Sequence, residues 1–400
     1  MRPPAPEPCD YDVVVVGGGP AGATAATDLA ANGRRVLLLD REGRTKPCGG
    51  AIPTRLIADF DIPPSLLTAH IRSARIAAPS RRQVDMRIDG GFVGMVDRDI
   101  FDPWLRRRAA GAGATVLAAR FETARPSGDG ALAISFREKG RAASVTVSAR
   151  MIVGADGANS AVRRDLFAPE TRPPFVFAYH EIVRSPRGRS AAFDPERCDV
   201  FYGEAVSPDF YGWVFPHGDT TSVGTGSARK GFDLREATRR LRLAGGLSEC
   251  ETLRAEGAPL PLRPLRRWDD GRRALLAGDA AGVVAPASGE GIYYAMLCGR
   301  LVAETAAEFL ETGDARVMAT ARRRFMREHG RIFLMLRAMQ GFWYRNDRRR
   351  ERFAALCADP DIQRLVWDSY LNKRLVRADP LAYFRVFAKD VAQLLRLGFQ

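Results

Sequence analysis

The chain has 400 residues, 46% hydrophobic and 27% charged, with a mean hydropathy of -0.20: a globular composition, long enough for one large core or several intergrown domains. No apolar run approaches the roughly 18 residues of a membrane span, and the Pro-rich, acidic N-terminus lacks the basic start and apolar middle of a signal peptide, so a cytoplasmic protein is expected. A net charge of +14, carried mostly by Arg, attracts negative partners such as anionic lipid or an acidic protein, but no nucleic-acid motif accompanies it; six scattered cysteines, without a CxxC pair or a His at zinc spacing, predict reduced thiols and no metal site.

In chain order, 11–16 reads as a short apolar strand, 20–32 as an Ala-rich helix stopped by Gly33, and 36–39 as a second buried strand. This is a βαβ unit and implies a parallel sheet. Its turn is Gly17-Gly18-Gly19-Pro20-Ala21-Gly22. Gly17 suits the tight turn, Gly19 lets backbone approach a pyrophosphate, and Gly22 lets helix and strand pack closely. The free N–H groups at the helix start face a diphosphate, and Asp40, closing the second strand, is placed to accept from a ribose hydroxyl.

The texture changes over 76–96 and 175–260, where 84–88, 175–182, 200–202 and 222–225 predict short strands between Gly/Pro turns. Between these blocks, 97–165 returns to helix and buried strand and ends in Met151-Ile152-Val153. A second glycine loop follows, Gly154-Ala155-Asp156-Gly157-Ala158-Asn159-Ser160-Ala161-Val162-Arg163. After 265 the nucleotide-binding texture reappears: a strand over 274–277, the loop Gly278-Asp279-Ala280-Ala281, then Pro286-Ala287-Ser288-Gly289-Glu290-Gly291 opening a helix. Asp279 can accept from ribityl hydroxyls, and the helix opening at Gly291 can stabilise negative charge on a reduced isoalloxazine. Taken alone, either later loop could be a turn with a helix cap; the three in this order predict a flavin site.

The fold class expected is α/β (α+β overall): an FAD-binding, Rossmann-like domain, similar to the glutathione-reductase type, with an inserted, mostly antiparallel β domain and a helical C-terminal part. The segments are 1–75, 97–167 and 265–312 for the discontinuous FAD domain, 76–96 and 168–264 for the substrate domain, and 313–400 for the helical part. In the last, Phe325, Ile332, Phe333, Leu336, Met339, Phe342 and Trp343 recur as one helical stripe among many arginines. A core-facing stripe with a solvated basic back and attachment to an anionic membrane surface are the two readings of that pattern.

Over 10–310 these features resemble the para-hydroxybenzoate hydroxylase branch of the glutathione-reductase-type flavoproteins, and within it the geranylgeranyl reductase family. The specific marks are Lys46-Pro47-Cys48-Gly49-Gly50-Ala51, Asp97-Arg98 with Phe101-Asp102 and Leu105, and Tyr211-Gly212-Trp213-Val214-Phe215-Pro216. Beyond Arg345, including Tyr370-Leu371-Asn372-Lys373, the chain is most similar to the photosynthetic members that act on (bacterio)chlorophyll. The resemblance implies FAD held by Gly17, Gly19, Pro20, Ala21, Gly22, Asp40, Arg41, Cys48, Gly49, Gly50, Arg98, Asp156, Gly157, Gly278, Asp279, Gly289 and Gly291. It implies a prenyl cavity near the flavin walled by Tyr211, Trp213 and Phe215, and reduction of isolated C=C bonds in a geranylgeranyl chain, as the pigment ester or the free diphosphate, to the phytyl form. NADPH is the electron donor expected on family grounds although no second GxGxxG is present; reduced ferredoxin, being acidic, would also suit the basic surface. The expected location is the cytoplasm, peripheral on the photosynthetic (intracytoplasmic) membrane.

The residues agree with this without demanding it. Alternation over 211–215 puts Tyr211, Trp213 and Phe215 on one face of a strand, as a substrate wall or as a core sheet would. A twenty-carbon chain must be buried, at about 0.8 kcal/mol per methylene. An alkene without an adjacent carbonyl is a poor hydride acceptor, so hydride from flavin N5 requires nearly concerted protonation. Cys48 and Tyr211 are the catalytic candidates, alongside the flavin's own protons and His217, which also reads as a turn residue; Cys48 also reads as a buried structural thiol. Two other functions stay open: an NADPH/FAD-dependent monooxygenase, which would consume oxygen stoichiometrically, and a non-catalytic prenyl-binding chaperone, which would carry no flavin.

Overall fold

The computed structural model describes residues 9–43, 46, 48–127, 130–168 and 172–373. Pro47 of the Lys46–Ala51 motif, the start of the N-terminal segment and the helical expectation for 374–400 lie outside the described residues. In chain order the strands and helices are β1 (Tyr11–Val16), α1 (Pro20–Ala31), β2 (Val36–Asp40), β3 (Ala51–Pro53), α2 (Thr54–Asp59), β4 (Leu67–Ile71), β5 (Ser73–Ala77), β6 (Gln83–Arg87), β7 (Val93–Val96), α3 (Arg98–Gly111), β8 (Thr115–Pro126), β9 (Leu132–Glu138) and β10 (Val145–Gly154). There follow α4 (Ala161–Leu166), β11 (Phe175–Arg184), β12 (Arg197–Gly203), β13 (Ser207–Pro216), β14 (Thr220–Ser227), α5 (Leu234–Ala244), β15 (Thr252–Pro261), β16 (Ala274–Leu276), α6 (Ile292–Thr312), α7 (Thr320–Trp343), α8 (Asp347–Leu356) and α9 (Pro360–Asn372). These elements divide into two compact units, 1–48, 97–178 and 257–339 forming the first and 49–96, 179–256 and 340–400 the second. Thus 49–75 groups with the second unit and 313–339 with the first.

The first unit is built on a six-stranded sheet. β16, β10, β1, β2 and β8 pair in parallel, and β9 runs antiparallel against the outer parts of β8 and β10. Val13 to Val16, Leu37 to Leu39 and Met151 to Val153 are buried throughout, as strands covered on both faces must be. α1 begins with Pro20 at its first turn, where a missing N–H costs nothing, and its alanines allow close approach to α6 and α3. All five parallel strands run the same way, so the loops after β1, β2, β10 and β16 share one end of the sheet, the end where open α/β sheets bind ligands.

The second unit carries a seven-stranded sheet in the order β15-β11-β14-β13-β12-β5-β6 and a three-stranded one, β3-β7-β4. The larger sheet contains the antiparallel pairs β12–β13, β13–β14 and β5–β6 and the parallel pair β12–β5. Two clusters of buried residues are described in this unit. Ile71, Val93, Met95 and Cys198 pack with Leu371, Trp367 and Tyr370 of α9, and Val183, Phe193, Val214 and Val223 pack with Leu241 of α5. Arg350 anchors α8 by donating to the carbonyls of Pro208 and Tyr344, and the Tyr202 and Tyr344 hydroxyls meet at 3.1 Å. Among the described residues no helix is long and apolar enough to cross a membrane.

Candidate functional site

In the first unit the loop after β1 turns because Gly17 has φ 103°, a left-handed conformation that a side chain would strain. It is also crowded: a Cβ on Gly17 would lie 2.8 Å from Asp156 Cα, and one on Gly22 would lie 2.9 Å from Ala155 Cβ. Gly17 N–H donates to Leu39 O at 2.7 Å, tying the first loop to β2, and Ala155 N–H donates to Val16 O at 2.8 Å, joining the second glycine loop to the end of β1. Gly19 caps α1 and, having no side chain, leaves the amides at that helix start without a capping side chain. Among the described residues, chain neighbours aside, Arg98 Nη2 lies nearest a Cβ built on Gly19, at 3.9 Å.

Arg98 is held by Asp102, which accepts from its Nε at 2.6 Å and its Nη2 at 2.7 Å. The Asp102 carboxylate keeps the buried guanidinium firmly protonated despite desolvation, and the Cys48 thiol hydrogen-bonds the same group. At the end of β2, Asp40 accepts from Gly18 N–H at 2.7 Å and Glu42 N–H at 3.0 Å, with Arg106 Nη1 3.4 Å away. Arg41 beside it is exposed.

Asp156 accepts from Ala161 N–H at 2.5 Å and Val162 N–H at 3.3 Å through one oxygen. Its other oxygen is buried without a hydrogen-bond partner among the described residues, and burial raises the Asp156 pKa. A buried, unsatisfied carboxylate oxygen beside two glycine turns is what a hydroxyl-bearing ligand would complete. Gly157 follows with open space at its Cα. Arg163 ties the second loop to the third, donating to Ala158 O at 2.6 Å and Ala280 O at 2.8 Å. Gly278 packs on Ala21, and Asp279 pairs with Lys46. Gly289 adopts φ 66° and Gly291 caps α6. Gly17, Gly19, Pro20, Ala21, Gly22, Asp40, Cys48, Arg98, Asp156, Gly278 and Asp279 therefore share one unit, with three glycine loops in direct contact. These residues fit a dinucleotide: acceptors for hydroxyls, free amides and a fixed cation for phosphates.

Gly49 and Gly50 group with the second unit, packing against Phe215 and His217. His217 donates its backbone N–H to Thr220 O at 2.7 Å, making a tight turn, and its Nε2 lies 3.0 Å from Gly49 O. On β13 the rings of Tyr211, Trp213 and Phe215 follow one another at centroid spacings of 6.1 and 6.5 Å. Trp213 Nε1 donates to Ser222 Oγ at 3.0 Å. Sequence reasoning gave no role to Lys46, Arg106, Arg163, His180 or Ser222. The one local signal was that Lys46 and Arg163 sit inside motifs it had singled out.

Comparison with known proteins places these features in context. A family profile described as "Lycopene cyclase protein" matches residues 12–392. A geranylgeranyl diphosphate reductase of Rhodobacter capsulatus is 52% identical over 96% of this chain and 97% of its own. The chloroplastic protein of that name from Oryza sativa is 37% identical over 96% of this chain and 86% of its own, and the Synechocystis one 35% over 96% and 98%. Among solved structures, a geranylgeranyl bacteriochlorophyll reductase-like protein of Thermoplasma acidophilum matches with a TM-score of 0.81 at 23% identity, covering 96% of this chain and 98% of that one. A flavin-dependent brominase matches with a TM-score of 0.75 at 17% identity, covering 96% and 99%.

Proposed function

The chain belongs to the geranylgeranyl reductase family, and from that premise we propose that it is an FAD-dependent oxidoreductase saturating isolated C=C bonds of a geranylgeranyl chain, carried as the diphosphate or on a (bacterio)chlorophyll, to give the phytyl form. The observation that carries this reading is 52% identity to a geranylgeranyl diphosphate reductase over nearly the whole of both chains. We assign the first unit to FAD and the second to the substrate.

FAD, when bound, supplies the hydride that an unactivated alkene cannot otherwise obtain. The chain's own residues do the rest. Gly17 makes the tight turn, Gly19 lets backbone approach the diphosphate and Gly22 lets α1 pack closely, Arg98 adds fixed positive charge beside Gly19, and Asp40, Asp156 and Asp279 accept from ribose and ribityl hydroxyls. Cys48 and Tyr211 are the proton donors. The Cys48 thiol hydrogen-bonds the Arg98 guanidinium, which orients it. Tyr211, Trp213 and Phe215 line the surface on which the apolar chain lies, excluding water and gaining about 0.8 kcal/mol per buried methylene. NADPH is the electron donor, with reduced ferredoxin the alternative. The solvent face of α7 contacts an anionic membrane surface, where such a substrate dissolves.

Mass spectrometry of the pigment tail in a strain lacking this gene tests the reaction. Accumulation of a geranylgeranyl-esterified pigment is expected; an unchanged phytyl tail overturns the reading. Feeding purified enzyme the free diphosphate or the pigment ester separates the two substrate forms.

A further inference from the structure

A row of polar groups crosses four neighbouring strands of the larger sheet in the second unit. Trp213 on β13 donates from Nε1 to Ser222 Oγ on β14 at 3.0 Å, His180 Nδ1 on β11 lies 3.0 Å from Ser222 Oγ, and His180 Nε2 lies 3.2 Å from Glu256 Oε2 on β15. An indole N–H only donates, so Ser222 accepts from Trp213; with His180 as the neutral Nε2–H tautomer, the serine proton goes to Nδ1 and Nε2–H goes to Glu256. Ser222 is fully buried and His180 is 2% exposed, so no water takes the place of either when it is removed.

The serine, histidine and glutamate share the composition of a hydrolytic triad, yet the geometry denies that use: Ser222 Oγ is enclosed and already engaged by the indole. The backbone is shaped for the indole instead. Gly224 stands opposite Trp213 in the β13–β14 register, and a Cβ there would lie 2.7 Å from Trp213 Cζ2 and 2.5 Å from His180 Cβ. The indole thus lies across β14 in a glycine gap, held at its nitrogen. Packing alone holds a core aromatic; burying a histidine and a serine to fix one N–H direction is useful where the ring's angle matters.

We propose that Ser222 and His180 are positioning residues for the prenyl substrate: they fix the Trp213 ring and thereby the register in which a prenyl chain lies along Tyr211, Trp213 and Phe215. The inference rests on the reductase reading above.

The test uses full-length, flavin-loaded protein and geranylgeranyl diphosphate. Ser222→Ala and His180→Gln are expected to keep their flavin and to raise KM about tenfold, the loss of one buried hydrogen bond, with partially reduced chains accumulating. Ser222→Thr, which keeps the hydroxyl, restores the wild-type product pattern. In a Trp213→Phe background, Ser222→Ala adds nothing further, because the group it positions is gone. Wild-type KM and products in Ser222→Ala, or full additivity with Trp213→Phe, would overturn the proposal. If the wild-type protein leaves the diphosphate unreduced, the reductase reading fails separately. The positioning claim is then read from equilibrium binding of the diphosphate and from the indole N–H band in ultraviolet resonance Raman difference spectra against Trp213→Phe. Equal binding with an unshifted band in Ser222→Ala sinks it.

Discussion

At Asp156 one carboxylate oxygen takes two backbone amides while the other is buried with nothing to accept from, and at Asp279 the carboxylate is paired with Lys46. Both acids lie in the loops that follow parallel strands β10 and β16, and those loops were legible in the sequence because a glycine turn after a buried strand is a local pattern. Gly17 and Gly22 were legible for the same reason, since crowding by Ala155 and Asp156 leaves no room for a side chain. Long-range partners were not legible. Lys46 meets Asp279 across 233 positions and Ser222 meets His180 across 42, and no local propensity encodes which distant residue a side chain will find. Asp279→Ala should weaken FAD binding by about ten- to hundredfold, the loss of one hydrogen bond to a charged group. Flavin absorbance of the purified protein is the check, and full occupancy would remove Asp279 from the site. Cys48→Ser should slow alkene reduction while leaving flavin bound, because serine is a far weaker acid. Unchanged single-turnover rates would remove Cys48 from the mechanism.

Among the elements, α7 shows where periodicity was read well and where it drifted. Phe325, Ile332 and Phe333 are buried as the apolar stripe requires, and Leu336 and Met339 are half-buried. Phe342 is 44% exposed, and it leaves the stripe because at roughly 100° per residue it lies about 100° around the helix from Phe325. The opposite face carries exposed Arg323, Arg327, Arg331 and Arg337 around Leu334, which is 68% exposed, and Glu328 is the helix's single acidic residue. Each arginine near an anionic surface contributes about 1 kcal/mol. Cosedimentation should therefore show binding to anionic vesicles that weakens with salt, and Arg327→Glu with Arg331→Glu should lower it by about tenfold or more. Equal binding to neutral and anionic vesicles would reject the membrane role. The strands were legible at their centres and short at their ends: 222–225 was expected and Thr220–Ser227 is observed, because the added residues owe their conformation to cross-strand partners.

Across the whole molecule, each compact unit is assembled from three separate stretches of chain. The α/β class, the parallel sheet around β1 and β2 and the antiparallel texture of the insertion were readable from alternation and glycine spacing. The grouping of 49–75 with the second unit was not, because β3 and β4 are short strands that pair with β7, a choice made by tertiary contact. The reaction expected of the whole molecule is FAD-dependent reduction of an isolated alkene without help from oxygen. Its most direct test is anaerobic: the purified, flavin-bound protein is reduced, mixed with geranylgeranyl diphosphate or the geranylgeranyl pigment ester, and followed by flavin absorbance and product mass. Reoxidation of the flavin in step with a gain of two hydrogens per saturated bond is predicted. A flavin that stays reduced until oxygen is admitted, with an oxygenated product, would contradict it.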